Sequence, residues 1–577
     1  MKMSGAELVV DLLERQGVDL IAGVPGGAVL PLYEALGGSR LIRHVLARHE
    51  QAAGFIAQGM ARLSGRAGVC FVTSGPGVTN VVTALADAKL DSVPLVCIAG
   101  QVPTHLIGTD AFQEVATLAM VRPITKACFF LKSARDIADV IAEAFHVAEH
   151  GRPGPVLIDL PKDVQTQLVE STDIRSGGRP HQTHLPATAD RALAYDQAAD
   201  LIAAAERPLL YVGGGVVRAR AQALARQFAE QTDIPVTTTL MALGLLPRHH
   251  SLNLGMLGMH GARYTNHAIE AADLLIAIGA RFDDRATGDP ARFAPRAKIL
   301  HLDIDAREFG KIKQPALAIL DDAAAALHEL LQRVSRMEHR NQGRRAAWHR
   351  HIDDLKHLHP LRTPRCEEIC SPYGIMRALG DTLPHNAVVT TDVGQHQMWA
   401  AQALPLQNAN RWLTSGGLGT MGFGLPAAIG AALIRRDASV VCITGDGSLL
   451  MNIQEFATLV ELDLNVKIVV LDNAALGLVR QQQELFFRQR YVGSRYQKST
   501  DFVAVAQAFG LHAYDLGSDR EPRQRLEQAL SRPGPVLIRV PIAETEHVLP
   551  MVEPGAANTH ALDHPALCAC PCAVHRQ

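Results

Sequence analysis

The sequence predicts an α/β protein assembled from three doubly wound parallel-sheet domains. Short apolar, β-branched runs end at glycine or polar residues and alternate with stretches of helical period, the rhythm of parallel strands covered by helices on both faces. The heptapeptide RPGPVLI occurs twice, at 152–158 and 532–538, each time behind a helical stretch, so two related units frame the chain. At 577 residues the chain also exceeds what one core organises.

Taken in order, Ser4 caps an amphipathic first helix carrying Leu8, Leu12 and Leu13. The first domain, residues 1–170, alternates strands at 68–73 and 94–99 with helices at 79–89 and 134–149. A second domain spans 188–335, with strands at 208–212, 274–278 and 298–302 that each exit into a polar or glycine turn. A charged, His-rich stretch follows, and 336–371 reads as a linker wrapping the surface. The βα rhythm returns between 386 and 541, inside a third domain at 372–550, and 551–577 reads as a disordered tail.

Net charge is −2 with a pI near 6.9 and no long Lys/Arg block occurs, so nothing points to nucleic acid or an anionic membrane. No apolar run reaches the length of a membrane span, and the N-terminus reads as a capped helix rather than a signal segment, which suggests a cytoplasmic protein. Of nine cysteines, Cys70, Cys97 and Cys442 sit in apolar strands as small hydrophobes, which fits a reducing compartment. Cys568, Cys570 and Cys572, near His560, His564 and His575, could bind a soft metal, but their spacing matches no usual structural zinc pattern.

Chemistry concentrates at strand ends. The run SVVCIT at 439–444 stops at Gly445-Asp446-Gly447-Ser448, and VKIVVL at 466–471 stops at Asp472-Asn473-Ala474-Ala475. Asn452 followed by Glu455 reads as a helix N-cap just beyond the first turn. If the two strands are neighbours, the Asp446 carboxylate, the Asn473 amide oxygen and a loop carbonyl converge. Magnesium prefers about six hard oxygens and commonly takes several from phosphates and water, so three protein oxygens suit a magnesium diphosphate. In the second domain Gly213-Gly214-Gly215 follows a strand directly, although the full GxGxxG pattern is absent. The next two strands exit into Gly279-Ala280-Arg281-Phe282-Asp283-Asp284-Arg285 and Asp303-Ile304-Asp305, where arginine can pair with phosphate and carboxylates can accept ribose hydroxyls.

The segments VPGGAVLPLYEAL, ARHEQAAGFIAQGMAR, TSGPGVTN, GTDAFQE, RPGPVLIDLPKDVQ, RFDDRATG, GLGTMGFGLPAA and GDGSLLMNIQE occur in this order over nearly the whole chain. Together they resemble the large catalytic subunit of the acetohydroxyacid synthase (acetolactate synthase) family, of the enteric isozyme I type. The resemblance implies a pyruvate-oxidase-like architecture with pyrimidine-binding, central FAD-binding and diphosphate-binding domains, and the cofactors thiamine diphosphate, Mg2+ and a largely non-redox FAD. It implies metal ligation by Asp446, Asn473 and the Ala475 carbonyl, with Asp472 standing where the family pattern has a first Asn. Glu50 matches the carboxylate that hydrogen-bonds the aminopyrimidine and so promotes loss of the thiazolium C2 proton. Phe112, Gln113 and Lys162 match residues around the reacting carbon, and Val393, Gly394, Gln395, His396, Gly419, Met421, Gly447 and Ser448 match contacts to thiamine diphosphate. Gly213, Gly214, Gly215, Thr239, Leu240, Gly258, His260, Arg281, Asp303 and Asp305 match FAD contacts. Arg285 faces the second substrate by resemblance, and Gly26, Gly27 and Gln482 belong to the same substrate site.

The implied reaction decarboxylates pyruvate and joins the remaining two-carbon unit to a second pyruvate, giving 2-acetolactate, or to 2-ketobutyrate, giving 2-aceto-2-hydroxybutyrate. Gln482 stands where many members have a tryptophan that favours 2-ketobutyrate, so a weak acceptor preference is expected. The family also implies a homodimer or dimer of dimers with sites between subunits, and a small regulatory subunit. Rival readings are another enzyme on the same scaffold, such as a pyruvate oxidase or a catabolic acetolactate synthase, and a non-catalytic binding or assembly subunit.

Overall fold

Each strand run read above lies in one of three six-stranded parallel sheets. The computed structural model describes residues 2–170, 188–334 and 345–564. The first sheet runs Arg43–Leu46, Leu20–Gly23, Gly68–Val72, Leu95–Gln101, Pro155–Pro161, Ala127–Phe130. The last runs Trp412–Leu413, Val388–Thr391, Val440–Gly445, Val466–Asp472, Val536–Pro541, His512–Asp515. Counted along the chain, both follow the order 2-1-3-4-6-5, and both RPGPVLI copies lead into the equivalent inner strand. The echo in the sequence is thus an echo in topology. The middle sheet has the order 3-2-1-4-5-6.

Such open sheets bind ligands where the strand order reverses, outside the carboxyl ends. In the middle sheet the reversal lies between Pro208–Val212 and Leu274–Ile278, which pair from Pro208↔Leu274 to Val212↔Ile278 and release Gly213 and Gly279 side by side. In the last sheet it lies between Val388–Thr391 and Val440–Gly445. The central strands are buried throughout, and the first and last units share one apolar core. Helix Glu50–Ser64 crosses helix Gly424–Ile434 with glycine on both sides. A Cβ at Gly59 would lie 2.3 Å from the Ala427 carbonyl oxygen, and one at Gly430 would lie 2.1 Å from that of Ile56.

The first helix, Gly5–Arg15, is capped as expected, with Glu7 N donating to Ser4 Oγ at 3.2 Å and Ser4 N to Glu7 Oε2 at 2.7 Å. Three expectations need correction. Within the supposed linker, Ala346–Leu358 is a helix whose Trp348 and Ile352 are buried in the middle-unit core; Trp348 Nε1 donates to the Pro208 carbonyl at 3.0 Å. Its apolar stripe at i, i+4, i+7 (Trp348, Ile352, Leu355) is narrow among charged and histidine neighbours. The supposed tail is docked up to His564: Met551 and Val552 are buried, Met551 pairs with Leu562, and Asn558 Nδ2 donates to the Ala286 carbonyl at 2.7 Å. Cys568, Cys570, Cys572 and His575 lie outside the described residues. Finally, Asn452 stands where expected, before the helical turn Ile453–Glu455 that runs into helix Phe456–Glu461, but its side chain makes no capping bond. Its Nδ2 donates to the Gly422 carbonyl at 2.7 Å while Glu455 accepts from Arg48 N at 2.8 Å, so both side chains serve contacts between segments, and a further helical turn starts earlier, at Asp446. Among the described residues no helix is long and apolar enough to cross a membrane.

Candidate active site

Strands Val440–Gly445 and Val466–Asp472 are paired neighbours, with Gly445 opposite Leu471, so their exits emerge together. Asp446 is buried at the first position of the turn Asp446–Leu449, its Oδ1 accepting from Gly447 N at 2.8 Å and its Oδ2 from Ala475 N at 3.2 Å. Asn473 Nδ2 donates to Gln395 Oε1 at 3.1 Å, which leaves the amide oxygen for a cation. Ala475 bridges Arg495 in an antiparallel pair whose bonds are made by the flanking residues, Leu476 N to Ser494 O at 2.8 Å and Tyr496 N to Ala474 O at 2.9 Å. That bridge does not engage the Ala475 carbonyl. Burial pushes the Asp446 carboxyl up to about 7, with Asp472 adding to the effect; a bound divalent cation reverses this balance. Among the described residues no group of three or more His, Cys, Asp or Glu side chains could hold a metal. The donor set of one carboxylate, one amide and one carbonyl instead suits a hard cation that draws further oxygens from its ligand.

The opposite wall comes from the exit of Val388–Thr391. Ser448 Oγ donates to the Val393 carbonyl at 2.9 Å, and Gln395 Nε2 donates to Gln481 Oε1 at 2.9 Å and to the Glu546 carbonyl at 2.8 Å. Gly394 has φ +149°, and a Cβ there would lie 2.9 Å from His396 Cε1. Burial pushes the His396 imidazole down to about 3, so it is neutral, and its buried Nε2 has no partner among the described residues. Gly419, at φ +70°, has Val393 Cγ1 as its nearest neighbour, and Met421, two residues on, is half-buried. Gly447 leaves room for Tyr496, whose hydroxyl would lie 2.4 Å from a Cβ at that position.

A cavity of about 560 Å³ joins this wall to the middle sheet. Val393, Gly419, Gln482 and Arg285 line it together with Gly214, Gly215, Thr239, Leu240, His260, Arg281 and Asp303. Its size suits a cofactor-sized ligand. The buried Thr239 Oγ1 has no partner among the described residues, and burial pushes the Asp303 carboxyl up to about 6. Three residues expected at the ligand, Gly213, Gly258 and Asp305, are not among those that line the cavity. A Cβ at Gly213 would lie 2.1 Å from the Gly279 carbonyl oxygen, and one at Gly258, at φ +92°, 2.3 Å from that of Arg285, so both glycines permit backbone contact. Asp305 is occupied by Arg307 at 2.7 Å and Arg152 at 3.2 Å, which hold its carboxyl below the usual range.

The first-unit candidates lie elsewhere. Glu50 is buried at the first position of helix Glu50–Ser64 and accepts from Asn80 Nδ2 at 2.8 Å. Gln113 has φ +59° and packs against Gly75, Phe112 is 88% exposed, and Lys162 opens the short helix Lys162–Thr166. A Cβ at Gly26 would meet Thr73 Cβ at 2.5 Å, whereas Gly27 faces open space. Among the described residues, none of these six lines the cavity.

Sequence reading missed several positioning groups. Buried Asp392 accepts from Val393 N at 3.0 Å and Gly422 N at 2.7 Å, tying the Val393 exit to the loop after Met421. Arg62 reaches Asp91 at 2.7 Å, and Asp91 accepts from Gly417 N at 2.7 Å, so a salt bridge in the first unit holds the glycine loop of the last. Arg152 lies in the repeated heptapeptide but was read only as fold signal; it reaches Glu308 at 2.6 Å and lines the cavity.

Sequence models of the thiamine pyrophosphate enzyme family match the chain in three parts: the N-terminal TPP binding domain over residues 3–120, the central domain over 195–330 and the C-terminal TPP binding domain over 392–540. The chain is 51% identical over 558 residues to the acetolactate synthase isozyme 1 large subunit of Escherichia coli K12, covering 97% of each chain. It is 44% identical over 568 residues to the isozyme 2 large subunit of the same organism, covering 97% of this chain and 100% of that one. Against the chloroplastic acetolactate synthase 1 of Nicotiana tabacum it is 44% identical over 563 residues, covering 96% and 84%. With three family models matched in order and 51% identity over 97% of the chain to one of these enzymes, the chain belongs to the thiamine pyrophosphate enzyme family, in its acetolactate synthase large-subunit branch.

Proposed function

We propose that this chain condenses two 2-keto acids with loss of carbon dioxide, forming 2-acetolactate from two pyruvates and 2-aceto-2-hydroxybutyrate from pyruvate and 2-ketobutyrate. One observation carries the reading furthest: Val393, whose carbonyl accepts from Ser448 Oγ beside the paired Asp446 and Asn473 exits, lines a cavity together with Arg285 and Gln482. Mg2+ held by Asp446, Asn473 and the Ala475 carbonyl would anchor a diphosphate, and Gly447, Ser448, Gln395 and His396 would surround it. Thiamine diphosphate, when bound, supplies the carbon nucleophile that neither the backbone nor any ordinary side chain offers. The neutral His396, whose Nε2 has no partner among the described residues, can offer a hydrogen bond to the cofactor or substrate. Arg285 is 61% exposed on its side chain and ion-paired only loosely, to Asp284 at 3.6 Å, which leaves its guanidinium for the carboxylate of the acceptor.

FAD is the ligand we assign to the middle part of the cavity. Gly214 and Gly215 line it without side chains, Gly215 packed against the Gly279 backbone, Thr239 Oγ1 and Asp303 offer hydrogen bonds, and Arg281 offers a cation. Glu50, Gln113, Lys162 and Phe112 stand outside this cavity, so we read the complete site as shared between two copies of the chain, the first unit of one facing the last unit of the other. In that assembly Glu50 would hold the pyrimidine end of the cofactor, and the exposed Phe112 would enclose the reacting carbon and exclude water. A small regulatory subunit and a cytoplasmic location complete the proposal.

The test is stoichiometric. With pyruvate as sole substrate and thiamine diphosphate, Mg2+ and FAD present, two pyruvates should disappear for each carbon dioxide released, without oxygen uptake. Oxygen consumption in proportion to carbon dioxide would instead mark an oxidase, and release of free acetaldehyde would mark a simple decarboxylase.

A further inference from the structure

Asp472 precedes the candidate metal ligand Asn473 and is 4% exposed at the end of strand Val466–Asp472. Its Oδ1 accepts from Ala474 N at 3.3 Å, inside the loop that carries Asn473 and Ala475, and its Oδ2 accepts from Arg539 Nε at 2.7 Å. Its strand pairs with the one that ends at Asp446, so the two carboxylates leave adjacent strand ends. Arg539 sits on the adjacent strand Val536–Pro541 and reaches outward with Nη1 to Asp515 Oδ2 at 3.0 Å. The strand register places Asp515 opposite Arg539 and Arg539 opposite Val470, so a row of alternating charge runs across three strands toward the metal site. A buried carboxylate needs such pairing, and an amide at position 472 would fill the same shape with no charge to balance.

We propose that Asp472 is a charged positioning residue that, balanced by Arg539, sets how tightly this chain holds the divalent cation of its diphosphate site. The inference rests on the reading of Asp446, Asn473 and Ala475 as that site. Asp472 bonds the loop that carries Asn473 and Ala475 on the strand next to that of Asp446, whereas Arg539 stands one strand further out, so the negative charge acts on the cation at closer range than the positive one. Outer-shell partners of metal ligands typically change metal affinity about 10- to 100-fold when altered. The two single charge removals should therefore act with opposite sign, which packing alone would not produce.

The experiment titrates Mg2+ by calorimetry into the full-length protein holding saturating thiamine diphosphate, with thermal melting as a check on folding. Asp472→Asn should weaken Mg2+ binding about tenfold, Arg539→Met should tighten it, and the double variant should return close to wild type. If both single variants weaken binding, or if Asp472→Asn leaves it unchanged, the proposal is overturned. Should Arg539→Met fail to fold, Asp472→Asn decides alone, because it keeps the shape and removes only the charge. A wild-type protein that takes up no Mg2+ with thiamine diphosphate would overturn the site reading itself, an outcome distinct from an unchanged Asp472→Asn.

Discussion

Gly75→Ala isolates the geometry on which the first-unit chemistry depends. Gly75 caps helix Pro76–Leu90 with φ +59° and ψ −113°, a conformation open essentially to glycine. An added Cβ would lie 2.8 Å from the Gln113 carbonyl oxygen and 2.9 Å from both its Cα and Cβ. Ordinary contact needs roughly 3.5 Å or more, so the Gln113 backbone must retreat by about 0.5–1 Å. Gln113 is itself at φ +59°, so little backbone freedom remains to absorb the shift. Strain of about 1–3 kcal/mol should lower the melting temperature by a few degrees. Misplacement of a substrate-positioning group by about 1 Å can cost on the order of 100-fold in rate. We therefore expect product formation to fall about 100-fold with saturating cofactors while circular dichroism stays native. A folded variant that retains activity within about threefold of wild type would refute the assignment of Gln113 to the reacting centre.

Three further outcomes are expected. Glu50→Gln keeps shape and removes the carboxylate, so turnover should fall by at least about 100-fold with the fold intact, and wild-type turnover would contradict the role given to Glu50. Gln482→Trp should raise the preference for 2-ketobutyrate by about 10-fold or more in a competition assay, since one methylene is worth about 1–3 kcal/mol, and an unchanged product ratio would contradict the pocket assignment. Burial pushes the Asp159 carboxyl from 3.8 up to about 7, only partly opposed by the hydrogen bond from Gln101. A raised acid costs stability only when ionised. The cost is absent below about pH 4, grows up to about pH 7, and reaches roughly 4 kcal/mol above it at about 1.4 kcal/mol per unit. Asp159→Asn should therefore stabilise the protein at pH 8 but not at pH 4, less the cost of any unpaired amide hydrogen; melting profiles that run parallel over this range would contradict the prediction.

How far sequence alone reached depended on where the signal lay. Strand interiors such as 208–212 and 274–278 were legible to the residue because β-branched runs stop at glycine or charge, and Asp446 and Asn473 were legible because those stops carry oxygen donors. Placing them side by side needed the sheet order, which a sequence supplies only as a condition. Asp392 was missed because its work is done through backbone N–H groups of Val393 and Gly422, a contact with no spacing rule. Arg62, Asp91 and Arg152 read as ordinary helix and turn charges until two units pack together. The helix at 346–358 was hidden by composition, since two buried side chains, Trp348 and Ile352, suffice to dock it. Glu50 became a candidate only through resemblance, because a glutamate at the first turn of a helix is explained equally well by the helix dipole.

The central claim is a carbon–carbon bond formed between two 2-keto acids with either acceptor. Supplying the purified chain with pyruvate and 2-ketobutyrate together, plus thiamine diphosphate, Mg2+ and FAD, and quantifying both acetohydroxy acids by mass spectrometry tests it most directly. The account predicts both products in near proportion to the two acceptors; formation of neither would contradict it.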